Sequence, residues 1–132
     1  MDFSLENLDY TLEELDLSYE KLTILPDLSK YTKLKVLKCN NNQLTSLDNL
    51  PPELQILYCS YNQITSLDNL PPELQILDCG NNQITLLDNL PSGLLELYCS
   101  RNNLTSLDNL PPGLKKFVCD NDKWQKQYFK KI

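Results

Sequence analysis

Five cysteines stand at positions 39, 59, 79, 99 and 119, one every 20 residues, and four aspartates at 48, 68, 88 and 108 keep the same interval. Thiolates bind soft metals and take part in redox exchange, and stacked carboxylates hold Ca2+ through oxygen ligands. Neither series has the clustering those chemistries need. Ligands for zinc must converge on a tetrahedron, and in-register neighbours with parallel Cβ vectors make poor disulfides. A buried free thiol behaves as a small hydrophobe, so Cys39, Cys59, Cys79, Cys99 and Cys119 are expected to pack a core. The aspartates are expected to cap turns in Asx fashion, each carboxylate accepting backbone N–H bonds. A third series, Asn42, Asn62, Asn82 and Asn102, both donates and accepts, and stacked copies are expected to satisfy turn backbone as a ladder.

The rest of the composition narrows the chemistry further. The chain has no histidine and no alanine, and Arg101 is the only arginine among 132 residues. Without histidine it lacks the group most used for acid–base work near neutral pH. No catalytic residue, no cofactor and no bound metal are expected. A formal charge of −6, from 12 Lys and Arg against 18 Asp and Glu, disfavours nucleic acid and anionic membranes as partners. No apolar run reaches the roughly 18–20 residues of a membrane span, and the start has no basic-then-apolar signal. Free thiols without a secretory signal point to a reducing, cytoplasmic compartment.

What must position these columns is a repeated element. Leu54-Gln-Ile-Leu57-Tyr-Cys59-Ser-Tyr-Asn62-Gln-Ile64 returns as Leu74-Gln-Ile-Leu77-Asp-Cys79-Gly-Asn-Asn82-Gln-Ile84 and as Leu94-Leu-Glu-Leu97-Tyr-Cys99-Ser-Arg-Asn102-Asn-Leu104. Blocks open at Leu34, Leu54, Leu74, Leu94 and Leu114, and one longer step of 22 leads from Leu12 to Leu34. Thr-Ser-Leu-Asp-Asn-Leu-Pro-Pro fills the intervals at 45–52, 65–72 and 105–112, with Leu86 and Ser92 altering the copy between. Repeats of this length cannot bury an apolar face alone, so they stack and share one core. Alternation points Leu57 and Cys59 inward and Ile56 and Tyr58 outward, with equivalent strands side by side as a parallel sheet. Ile64, Leu67 and Leu70 fill the interior from the return half. Pro-Pro fixes φ and lacks N–H donors, so extended, polyproline-II or short 3-10 backbone is expected there. The whole chain, 1–132, reads as one domain: a partial N-terminal repeat over 1–11, six strand blocks over 12–122, and a C-terminal cap over 123–132. The cap rests on Trp124, Tyr128, Phe129 and Ile132, a helical stripe that would cover the last repeat.

The pattern L-x-x-L-x-L/C-x-x-N-x-L resembles the leucine-rich repeat over nearly the whole chain. Leu-Pro-Pro before each strand and the 20-residue length resemble the repeats of secreted effectors of enteric bacterial pathogens. Cys at the sixth position with Leu-Asp-Asn-Leu-Pro-Pro looks more like stand-alone repeat proteins of giant amoeba-infecting DNA viruses. Absent Ala, with abundant Asn, Ile, Lys, Tyr and Leu, suits an A+T-rich genome. The resemblance implies a right-handed solenoid with the parallel sheet on its concave face; relative to the bacterial effectors, a long N-terminal helical leader and an attached catalytic domain are not expected in this chain. Ubiquitin-ligase activity, which some bacterial relatives carry, is not transferred.

Function is then expected on the outward face of the strands. Val36, Ile56, Ile76 and Glu96 share one column, and Lys38, Tyr58, Asp78 and Tyr98 the next. Tyr61 and Arg101 lie just beyond. These positions vary between repeats whose cores are nearly identical, and an apolar, aromatic centre ringed by charge resembles a protein-recognition patch. The expected partner is a protein presenting apolar side chains around one basic group, a host protein in host cytoplasm if the viral resemblance holds, bound by a monomer. Two other readings stand beside this one: metal or redox chemistry on the Cys or Asp columns, and a purely structural repeat fragment.

Overall fold

The computed structural model describes residues 9–120. The N-terminal residues 1–8 and the expected capping helix at 123–132 lie outside the described residues. Six three-residue strands follow one another: β1 Glu14–Asp16, β2 Val36–Lys38, β3 Ile56–Tyr58, β4 Ile76–Asp78, β5 Glu96–Tyr98 and β6 Lys116–Val118. They form a single sheet in sequence order, every neighbour parallel and every register in phase, so that Leu37, Leu57 and Leu77 lie abreast. The architecture is a solenoid of stacked parallel strands, with no helix among the described residues.

Each strand is short because only its central residue must point inward. Leu37, Leu57, Leu77 and Leu97 are wholly buried, while the flanking residues of β2 to β5 are half-buried on the outer side. Cys39, Cys59 and Cys79 are equally enclosed two residues later. The opposite wall comes from Leu44, Leu47, Ile64, Leu67, Ile84 and Leu87, with Leu50, Leu70 and Leu90 packed partly against it. Each fully buried Leu or Ile stabilises the stack by roughly 1.5–3 kcal/mol.

Inter-repeat hydrogen bonds run past the strands into the turns. The N–H of Cys59 donates to the Asp78 carbonyl at 2.8 Å, and the N–H of Tyr61 to the Gly80 carbonyl at 3.1 Å. Reaching that carbonyl takes a left-handed residue: Tyr19, Asn41, Tyr61, Asn81 and Arg101 have φ between 55° and 60°. On the return side Asn49, Asn69, Asn89 and Asn109 are also left-handed, a region asparagine tolerates better than most residues. A tight turn then closes from the Pro71 carbonyl to the Leu74 N–H at 3.2 Å, with Pro72 supplying the preset φ of its second position. The 22-residue first step adds a buried Tyr31 whose ring meets Tyr10 edge-on at 4.9 Å.

The asparagine series bridges repeats. Oδ1 of Asn62 accepts the Leu44 N–H at 3.0 Å, while its Nδ2 donates at 3.1 Å to the carbonyls of Cys39 and Cys59. Asn82 repeats this with Ile64, Cys59 and Cys79, and Asn102 with Ile84, Cys79 and Cys99. One carboxamide thus satisfies three backbone groups where each chain turn leaves the sheet. The aspartate column departs from the backbone-capping expectation. Asp48 accepts from the Ser46 hydroxyl at 3.0 Å and from Nδ2 of Asn69 at 3.4 Å, one repeat on. Asp68 pairs likewise with Ser66 and Asn89, and Asp88 with Asn109. These carboxylates tie side chains of adjacent repeats together instead of capping turn N–H groups.

Candidate interaction face

Because the register is in phase, each outward position becomes a row across the sheet. The first row runs Glu14, Val36, Ile56, Ile76, Glu96, Lys116. Its three central members are apolar and half-buried, leaving a greasy strip against solvent. The second row runs Asp16, Lys38, Tyr58, Asp78, Tyr98, Val118. The structure therefore brings Val36, Ile56, Ile76 and Glu96 together, and beside them Lys38, Tyr58, Asp78 and Tyr98.

Beyond the strands, Tyr61 and Arg101 stand in the left-handed turn row. Tyr61 is 56% exposed, and its companion Tyr19 is 76% exposed. The Arg101 N–H donates to the Asp120 carboxylate at 2.6 Å, which fixes the turn while leaving the residue exposed. Tyr19 belongs to the same aromatic rim. It stands seven residues after Leu12 as Tyr61 stands seven after Leu54, an offset legible in the sequence although Tyr19 is not among the expected site residues.

The charged members of the face are largely satisfied among themselves. Lys38 Nζ lies 3.1 Å from Glu14, whose hydrogen bond and charge raise the lysine pKa. Asp16 accepts the Ser18 N–H at 2.9 Å, and that bond lowers its pKa. The Tyr98 hydroxyl donates to Glu96 at 2.6 Å, which raises the phenol pKa. Lys116 Nζ sits 5.4 Å from the Tyr98 ring centroid. Sequence reasoning did not find that contact, since nothing in a 20-residue period tells which way a lysine leans. Asp78 differs: its Oδ1 accepts the Gly80 N–H at 3.2 Å, and no lysine or arginine of the described residues pairs with it.

Inside the sheet the thiols have no comparable access. Burial pushes the Cys39 and Cys99 thiols up to about 12 and raises those of Cys59 and Cys79 well above their ordinary value. All five cysteines are free. Among the described residues no three His, Cys, Asp or Glu side chains converge as a metal-binding group.

Comparison with known proteins places this geometry. A family model described as leucine-rich repeats in two copies matches residues 11–52 and 52–92. No curated protein matches the sequence. Among solved structures, a Shigella effector leucine-rich repeat domain shares 36% identity at a TM-score of 0.75 over 82% of this chain. YopM from Yersinia enterocolitica also shares 36% identity, at a TM-score of 0.78 over 88% of this chain. The chain spans 49% of the first protein's length and 25% of the second's. Both are bacterial; the likeness to viral repeat proteins rests on the sequence motifs alone. The family match over 11–92 and these two likenesses establish that the chain belongs to the leucine-rich repeat family.

Proposed function

We propose that this chain is a non-enzymatic protein-interaction module that seats a partner protein on its concave strand face. The observation that carries this reading is the contrast between rows. Inward positions repeat Leu and Cys with little change, while the outward rows change from repeat to repeat and gather Val36, Ile56, Ile76, Tyr58 and Tyr98 into one patch. Six strands about 4.8 Å apart make a platform roughly 25–30 Å long, enough for an interface on the order of 800 Å² per partner. The module acts in a cytoplasm, as a monomer, without nucleic acid or membrane, and on a host protein if the chain is viral. Thiol or metal chemistry has against it the enclosed thiols and the absence of a converging ligand group among the described residues.

The test compares faces. Replacing Tyr58 and Tyr98 together by Ala leaves the core untouched and should weaken partner capture by about 2 kcal/mol or more. Changes at Asp68 and Asp88, on the opposite side of the repeat, should leave capture intact. Full capture by the double tyrosine variant with loss in the Asp68 and Asp88 variants contradicts the proposal.

A further inference from the structure

Within the proposed interaction face, one spot is built differently from its surroundings. Tyr58, Asp78 and Tyr98 occupy the same row on the consecutive strands β3, β4 and β5. At ordinary strand spacing the two tyrosines rise about 9–10 Å apart with the carboxylate midway between them. A flat or compact cation needs about 3.5–4 Å to a flanking ring, so the spacing above Asp78 admits one ammonium or guanidinium between the two tyrosine side chains.

The electrostatics leave that gap unfilled by the chain's own described residues. Lys38, the neighbour beyond Tyr58, is drawn to Glu14 at 3.1 Å. Lys116, at 5.4 Å from the Tyr98 ring, approaches it from β6, the strand on the far side of β5 from Asp78. Asp78 is meanwhile held in place by the Gly80 N–H at 3.2 Å. A Cβ on Gly80 would press on the Ser100 carbonyl at 3.3 Å and meet Asp78 Oδ1 at an ordinary 3.5 Å, so glycine relieves this turn against the next repeat. Equivalent positions carry Ser18, Asn40, Ser60, Ser100 and Asp120, so glycine stands there only in the repeat of Asp78, although Asp16 accepts the corresponding bond from the Ser18 N–H. The half-buried strip of Val36, Ile56 and Ile76 runs alongside.

We propose that Tyr58, Asp78 and Tyr98 form a subsite for one cationic side chain, lysine or arginine, of an otherwise apolar partner segment. This deepens the concave-face reading and rests on it. The subsite gives the partner its register: the apolar strip is interchangeable along its length, whereas a carboxylate with a tyrosine on each neighbouring strand occurs once in the rows of the described strands.

The test uses the full chain and two small probes, N-acetylarginine methylamide and its uncharged citrulline counterpart. The Gly80 amide and the ring protons of Tyr58 and Tyr98 are followed by NMR during titration. Saturable shifts are expected with the arginine probe and not with citrulline. Asp78→Asn should weaken the arginine response about fivefold or more. That variant keeps an acceptor for the Gly80 N–H, and Lys38, Tyr58 and Val118 at the equivalent place show that the fold tolerates other residues. Equal responses to both probes, an unaltered response in Asp78→Asn, or no saturable shift would each overturn the subsite. If partner capture is lost in the tyrosine variants while the arginine probe fails, the face stands and the subsite falls. If the probe binds as expected and capture ignores the tyrosines, the spot holds a cation without serving the partner, and the subsite proposal falls with the wider face.

Discussion

Tyr19, Tyr61 and Arg101 hold φ values of 60°, 58° and 56° at a place where two sister repeats carry Asn41 and Asn81. A left-handed backbone costs an ordinary L-residue roughly 1–2 kcal/mol, and asparagine less. The chain thus keeps bulky, exposed side chains where asparagine would fold more easily, which is where a binding surface leaves its mark on a scaffold. Tyr61→Asn is expected to raise the unfolding free energy by about 0.5–1 kcal/mol in a denaturant titration, and to weaken capture. The cysteines give the opposite kind of residue, all scaffold. The folded pKa values of Cys39, Cys59, Cys79 and Cys99 lie above those of the unfolded chain, which ionises from about pH 8.5. Their contribution is intact below that pH and is lost as pH rises toward about 12, because the unfolded chain sheds protons that the fold retains. Each such thiol contributes a slope of about 1.4 kcal/mol per pH unit in that window. Stability measured by urea unfolding should fall steeply between about pH 9 and 11, and less steeply in Cys59→Ala than in the parent.

At the scale of the element, the strand centres, the six-block count and the inward leucines are all legible in the sequence, because period and alternation are local patterns that a stack preserves. The partners of the aspartate column are not. Asp48 finds Asn69 across 21 residues, and a donor one repeat away leaves no trace in a local turn signature. The 22-residue first step is legible as an insertion but not as a device. Tyr31 fills it with a ring that is 1% exposed, and its buried hydroxyl has no hydrogen-bond partner among the described residues. Desolvating an unpaired hydroxyl costs on the order of 1–3 kcal/mol. Tyr31→Phe removes that cost and keeps the edge-on contact with Tyr10, so its thermal midpoint should match or exceed the parent's. A lowered midpoint would mean that the hydroxyl has a partner in solution.

At the scale of the whole molecule, the stack separates two tasks. Inward rows and the asparagine bridges hold neighbouring repeats together and hardly vary, since every repeat must fit the next. Outward rows escape that constraint, so their residue types are free to answer to something outside the chain. The sequence shows which residues lie in those rows, since they follow from alternation. It does not show that Lys38 and Glu96 are engaged with Glu14 and Tyr98 while Asp78 is left without a cation, because those pairings depend on how side chains lean across strands. The central claim is that the strand side, and not the return side, meets the partner. Photo-crosslinking tests it most directly, with benzoylphenylalanine placed either at Tyr61, 56% exposed beside the strands, or at Leu86, 46% exposed on the return half. A partner crosslinked from position 61 and not from position 86 is the predicted result. Crosslinking from position 86 alone would contradict it.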